Sequence, residues 1–129
     1  MQKLNDQKEL LKLNTELNDL NISLEKELSK INGLVNDVKD ANDDASQSAT
    51  EAKKLSDELS NNAGDIRLSS KTERAANSAA KDAKKAAKLN SKLGESNDEV
   101  KDLQENIKNV RSKLVVLQTK IEFVPVEKQ

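Results

Sequence analysis

Large aliphatic residues recur at alternating steps of three and four near both ends of this 129-residue chain. Such steps place successive side chains on one face of an α-helix, and each run predicts a heptad seam where helices pack together. Glu27 is the one charged residue at a seam position of the first run. The first seam consists of Leu10, Leu13, Leu17, Leu20, Leu24, Ile31, Leu34 and Val38. The second consists of Val100, Leu103, Ile107, Val110, Leu114, Leu117 and Ile121.

Composition favours long helices over a conventional globular core. Charged residues make up 35% of the chain and aromatic residues only 1%. Because aromatic side chains carry much of the buried area of ordinary cores, a compact domain is disfavoured. Disordered chains also have high charge and few aromatics, but their apolar residues are not periodic. We therefore predict an all-α protein with long, heptad-patterned coiled-coil helices.

The apolar pattern divides the chain into a coiled-coil rod segment over 1–122 and an extended tail over 123–129. Within the rod, the zone 4–38 is rich in leucine and the zone 89–121 is rich in leucine, valine and isoleucine. The zone 41–87 between them holds all twelve alanines. Alanine has the highest helix propensity but buries little apolar area, so this middle zone is predicted to be helical and weakly held.

The two seams disagree by one residue when they are extrapolated inward, which places a heptad break between Leu59 and Ala75. A break of this kind changes the winding of a continuous coiled coil, and it also occurs where a chain reverses. The sequence Asn-Asn-Ala-Gly-Asp at 61–65 contains turn residues. The first possibility predicts a continuous helix over 4–122, and the second predicts an antiparallel hairpin about Gly64.

A hairpin would bring together residues whose numbers add up to 127. Leu13 would then face Leu114, and Ala41 would face Ala86. The width of the first seam also constrains its neighbours, because Leu28 and Val35 lie beside it and widen the apolar stripe. A wide stripe is typical of a helix that contacts two neighbours, as in a trimer or a bundle.

The residue inventory disfavours catalysis. The chain has no His and no Cys, which removes the usual nucleophile systems and zinc sites. No glycine-rich phosphate-binding motif is present. Asp40, Asp43 and Asp44 could attract a cation, but we interpret them as a solvated helix face. We predict a protein that is not an enzyme and that needs no cofactor, metal or small-molecule ligand.

Charge and hydropathy exclude two further classes of partner. The 22 basic and 23 acidic residues are interspersed, so the basic face expected of a nucleic-acid-binding protein is missing. No apolar run approaches the roughly 18 residues that a membrane span needs. The N-terminus lacks an apolar signal core, which indicates an intracellular chain or a piece of a secreted one. If the chain is secreted, the sequon Asn21-Ile22-Ser23 makes Asn21 a candidate glycosylation site.

The run ENIKNVRSKLVVLQTKIEFVP near the C-terminus resembles the end of the laminin alpha-chain coiled coil, just before the first laminin G-like domain. The matching residues are Ile107, Arg111, Leu117, Ile121, Phe123 and Pro125. The helix is expected to stop at Phe123–Pro125, because proline lacks the backbone donor and biases its predecessor toward extended structure.

The resemblance implies a structural, non-catalytic segment that forms a parallel heterotrimer with laminin beta-like and gamma-like chains. Its location would then be extracellular, in the basement membrane, with a role in cell adhesion. The seam residues would pack against the partner helices, and the tail would lead into a following domain. The alternative from the residues alone is a self-contained, cytoplasmic helical-hairpin scaffold or tether.

Overall fold

The structure is a computed structural model in which residues 2–122 are described. These residues form two helices, α1 (Gln2–Asn61) and α2 (Ile66–Glu122), and contain no strand. The predicted all-α class is confirmed. The tail over 123–129 lies outside the described residues, and so does the prediction that the helix stops at Phe123–Pro125.

Residues 62–65 interrupt the helix, and the expectation of one continuous helix over 4–122 is therefore wrong. The N–H of Asn62 donates to the carbonyl of Leu59 at 3.0 Å, and the N–H of Asp65 donates to the carbonyl of Asn62 at 2.9 Å. Both bonds span three residues, as in a tight turn, rather than the four residues of an α-helix. The heptad break thus coincides with an interruption of the helix.

Side chains satisfy backbone groups on both sides of this turn. At the end of α1, the Nδ2 of Asn62 donates to the carbonyl of Glu58 at 3.0 Å. At the start of α2, the Oδ1 of Asp65 accepts from the N–H of Leu68 at 3.0 Å. The carbonyl of Asp65 accepts from the N–H of Ser69 at 2.9 Å, so Asp65 is the N-cap of α2. These bonds supply partners for groups that every helix end leaves unsatisfied.

Gly64 has no special backbone conformation in this turn. No glycine among the described residues has a positive φ. A Cβ added at Gly64 would meet no heavy atom within 4 Å. The turn therefore does not depend on the conformational freedom of glycine, and the side chains of Asn62 and Asp65 carry the local signal.

The chain divides into two compact units, and each contains part of both helices. We call the first the end unit; it comprises Met1–Lys30 and Asn97–Gln129, and is described over 2–30 and 97–122. We call the second the turn unit; it comprises Ile31–Ser96.

In the end unit, the two helix segments pack antiparallel through the predicted seams. Leu13 is buried in a cluster with Val110, Leu114 and Leu117. Nearer the N-terminus, Asp6 lies against Lys120. Partly buried aliphatic residues surround the cluster, namely Leu10, Leu17, Leu20 and Ile121. Burial of these side chains removes apolar area from water, which is the main force that holds the helices together.

In the turn unit, hydrogen bonds between the two helix segments show that these segments are antiparallel. The Nδ2 of Asn90 donates to the Oδ1 of Asn42 at 3.2 Å, and the Oγ of Ser48 donates to the Oδ2 of Asp82. Closer to the turn, the Oγ1 of Thr72 donates to the carbonyl of Leu55 at 3.3 Å. As the position on α1 increases, its partner on α2 decreases, so the segments are antiparallel, as the hairpin alternative predicts.

The buried apolar residues of the turn unit are mostly small. Val38, Ala41, Leu55 and Ala86 are buried. Ile66, by contrast, is 85% exposed at the first position of α2. Because alanine buries little area, each pair here contributes less to stability than a pair in the end unit.

Candidate partner-helix surface

All fifteen aliphatic seam residues of the two predicted seams are buried or half-buried within this chain. Those in the end unit are Leu10, Leu13, Leu17, Leu20, Leu24, Val100, Leu103, Ile107, Val110, Leu114, Leu117 and Ile121. The other three, Ile31, Leu34 and Val38, lie in the turn unit. The buried residues that pack against Leu13, for example, lie on α2 of the same chain.

The widened part of the stripe stays exposed. Leu28 is 43% exposed in the end unit, and Val35 is 48% exposed in the turn unit. Their exposure agrees with the prediction that the first seam is wider than one neighbouring helix covers. Further exposed aliphatic residues of the end unit are Leu4, Leu11, Ile22, Val115 and Val116.

Two grooves of different charge lie in the end unit. The first, which we call the basic groove, has a volume of about 750 Å³. Among the described residues, Lys108 and Arg111 are the charged side chains of its lining, and its apolar lining comes from seam residues together with Val115 and Val116. The full lining consists of Asn21, Leu24, Gln104, Ile107, Lys108, Arg111, Ser112, Val115 and Val116.

The second groove, which we call the mixed-charge groove, has a volume of about 530 Å³. Acidic and basic side chains alternate around it, and Leu13 and Leu117 form part of its apolar lining. The full lining consists of Glu9, Lys12, Leu13, Glu16, Ser112, Lys113, Val116, Leu117 and Lys120. Because both signs of charge are present, this groove has no evident preference for the charge of a ligand.

A carboxylate occupies the seam of α1 at Asp6, which the sequence analysis did not single out. Asp6 lies seven residues before Leu13, which is one heptad, and it is buried. Its Oδ1 lies 3.5 Å from the Nζ of Lys120 and accepts from the Nε2 of Gln2 at 3.3 Å. Among residues 2–122, its Oδ2 has no hydrogen-bond partner. Extending the heptad backward from Leu13 would have identified this position.

Glu27, the charged seam residue that the sequence does single out, is half-buried in the end unit. One of its carboxylate oxygens lies 3.9 Å from the Nζ of Lys30, three residues further along α1. Asp6 is thus paired with a lysine of the opposite helix, and Glu27 lies near a lysine of its own helix.

The candidate glycosylation site Asn21 is half-buried and lines the basic groove. A glycan is bulky and hydrophilic, and on this side chain it would occupy the groove. Glycosylation at Asn21 and occupation of the groove by another molecule would therefore exclude each other.

Acidic residues of the turn unit gather around one concavity. Asp40 and Asp44 line it together with Asp37 and Lys85. Over residues 2–122, no group of three or more side chains is arranged to hold a metal ion. Neither described helix contains a segment long and apolar enough to cross a membrane.

Comparison with protein-family models, with curated proteins and with solved structures yields no match. Within each of the two units, the described residues form an antiparallel pair of helix segments, and the end unit carries exposed aliphatic side chains. The resemblance to laminin alpha chains stays a prediction from residues 105–125.

Proposed function

We propose that this protein is a non-catalytic helical-hairpin scaffold or tether whose end unit carries a surface for partner helices. The observation that carries the proposal is the packing of Leu13 among Val110, Leu114 and Leu117 of the same chain. Seams that are closed within one chain supply a stable helical support without a partner. Helix stability in proteins comes mainly from such packing of an amphipathic face.

Two features support the binding part of the proposal. Leu28 is 43% exposed beside the closed seam, and Val115 and Val116 are 61% and 68% exposed on α2. Exposed apolar side chains beside a helix pair are suited to contact with a further helix. The absence of His and Cys from the sequence supports the non-catalytic part, because His is the commonest general acid or base and Cys is a strong nucleophile.

The laminin-like assembly stays a prediction, and it would require the end unit to open. In a parallel heterotrimer the chain would run as one continuous helix, which would carry Leu114 and Leu117 far from Leu13 of the same chain. A parallel heterotrimer would therefore exchange the contacts within the chain for contacts between chains. The two forms can be distinguished by a distance measured inside one molecule.

The test introduces cysteines at the exposed positions Lys8 and Thr119 of the end unit and labels them for distance measurement. The chain has no cysteine of its own, so no other site would be labelled. Paired helices lie about 8–10 Å apart, which predicts a short label distance. A continuous helix would separate the two positions by roughly 165 Å at 1.5 Å per residue.

The control dilutes the doubly labelled chain with an excess of unlabelled chain. A contact within one chain keeps its short distance on dilution, whereas a contact between chains loses it. Circular dichroism over a wide range of protein concentrations gives a second measurement. We expect helicity and thermal unfolding that do not depend on concentration, and a melting temperature that rises steeply with concentration would contradict the scaffold proposal.

A further inference from the structure

We propose that the basic groove of the end unit binds an amphipathic helix whose apolar stripe is flanked by acidic residues. This inference rests on the proposed function, because the groove exists only while the α1 and α2 segments of the end unit are paired. Both helices contribute to its lining: Asn21 and Leu24 lie on α1, and the remaining lining residues lie on α2.

The apolar lining of the groove is suited to a helix. Leu24 and Ile107 are seam residues, half-buried and buried respectively, and they remain accessible from the groove. Val115 and Val116 extend the apolar lining along α2 and are more than half exposed. A helix in a groove uses apolar anchors at i, i+3, i+4 and i+7, and it covers an elongated surface of this kind. Such a helix would complete the burial that two helices leave unfinished.

The charge of the groove determines which charged residues are favoured beside the apolar stripe of the partner helix. Lys108 and Arg111 lie three residues apart on α2, on neighbouring positions of the same helix face, and both are exposed. The sequence neighbours Glu25 and Glu105 do not line the groove. Among the described residues, the lining thus contains two cations and no carboxylate, which favours acidic residues beside the apolar stripe of a partner helix and disfavours basic ones.

A second copy of this chain is a poorer occupant. In a symmetric dimer the same patch contacts itself, so Lys108 and Arg111 of one copy would approach the same residues of the other. An anionic membrane surface would also attract the two cations. The concave apolar lining between two helices is better suited to a helix than to a flat surface, since membrane-bound helices insert a convex apolar face.

The test uses the full chain and two synthetic peptides about three heptads long. Both peptides have leucine at the a and d positions; one has glutamate at every e and g position, and the other has lysine there. Binding is measured by fluorescence anisotropy, and helix formation by the peptide is measured by circular dichroism. We expect the acidic peptide to bind at least about tenfold more tightly than the basic one, with a gain in helicity.

The decisive variant is Lys108→Glu with Arg111→Glu. We expect it to lose at least about tenfold in affinity for the acidic peptide and to bind the basic peptide more tightly than the wild type does. The matched control is Lys8→Glu with Lys26→Glu, which changes the net charge equally at exposed residues outside both grooves. The control is expected to change affinity by no more than about twofold at physiological salt.

Four results would overturn the proposal, and one of them is a folded chain that binds neither peptide. The first is equal binding of the two peptides by the wild type, and the second is an equal effect of the decisive and control variants. The third is binding to phosphatidylserine vesicles that depends on Lys108 and Arg111 while the acidic peptide does not bind. A folded chain without peptide binding overturns only the groove assignment, whereas a chain that unfolds on dilution overturns the scaffold proposal as well.

Discussion

The carboxylate Oδ1 of Asp6 lies 3.5 Å from the Nζ of Lys120, at a seam position where the heptad pattern calls for an aliphatic side chain. The Asp6 side chain is 8% exposed and the Lys120 side chain is 54% exposed. Removing a carboxylate from water costs free energy, and a partly solvated ammonium group offsets only part of that cost. The unpartnered Oδ2 adds to the cost. We therefore expect the pair to contribute to the register of the helices more than to their stability.

Replacement of Asp6 by leucine should raise the free energy of unfolding by about 1 kcal/mol, because an aliphatic side chain restores the seam without a buried charge. Lys120→Met should lower it by about 1–2 kcal/mol, because the carboxylate then stays buried without a cation. Urea unfolding followed by circular dichroism at a fixed protein concentration measures both changes. The assignment would fail if Lys120→Met unfolded at the wild-type urea concentration and Asp6→Leu unfolded earlier.

Substitutions in the turn should separate the role of Asp65 from that of Gly64. Asp65→Ala removes the side chain that accepts from the N–H of Leu68, and we expect a loss of about 1 kcal/mol. Gly64→Ala should leave stability unchanged or raise it by about 0.4–1 kcal/mol, since a Cβ there meets no neighbour and restricts the unfolded chain. Thermal unfolding of the two variants is the measurement, and a larger loss for Gly64→Ala would contradict the cap assignment.

The double substitution Ile107→Ala with Leu114→Ala should lower stability by more than about 4 kcal/mol, because both side chains are buried in the end unit. Any assembly with partner helices should be lost with it. As a comparison, Ala79→Ser with Ala83→Ser changes volume little at a half-buried and an exposed position, and it should be tolerated. Chemical unfolding and pull-down of co-expressed partner segments test this pair. If only the serine variant lost stability or assembly, the contacts that stabilise the protein would lie in the turn unit and the prediction would be wrong.

The small residues of the turn unit should resist enlargement. Ala41 and Ala86 are 4% and 6% exposed, and Ala41→Leu or Ala86→Leu should cost about 1–3 kcal/mol through overpacking. The control Ala87→Leu places the same side chain at an adjacent exposed position and should be nearly neutral. Differential scanning calorimetry compares the three variants. Equal melting temperatures for the three variants would contradict the prediction, because they would show that the helices can move apart at Ala41 and Ala86 with little cost in free energy.

The helices and their apolar faces could be predicted from the sequence because the heptad pattern is local. A spacing of three and four selects one helix face whatever that face contacts, and all fifteen aliphatic seam residues are buried or half-buried. The pairing of residues whose numbers add up to 127 follows from the same pattern once a reversal is assumed. The register of Leu13 in its cluster and of Leu55 with Thr72 agrees with it.

The heptad pattern could not predict whether each seam packs against the same chain or against a partner chain. Apolar burial has no direction, so Leu13 would be stabilised equally by α2 of its own chain and by a partner chain. The choice depends on whether residues 62–65 close a turn, and the caps at Asn62 and Asp65 are visible only in three dimensions. Gly64 indicated the position of the turn correctly, but its backbone does not have the positive φ for which glycine is favoured in turns.

The heptad pattern and the composition predict an all-α chain with an apolar seam near each end and an alanine-rich middle that buries little area. The contacts between the helices establish that the end-unit seams cover each other, that Asp6 pairs with Lys120, and that Lys108 and Arg111 are charges beside an apolar groove. The difference arises from the range of the interactions. Helix propensity and periodicity act within a few residues, whereas these contacts join residues about eighty or more positions apart, and their formation depends on the turn between the helices.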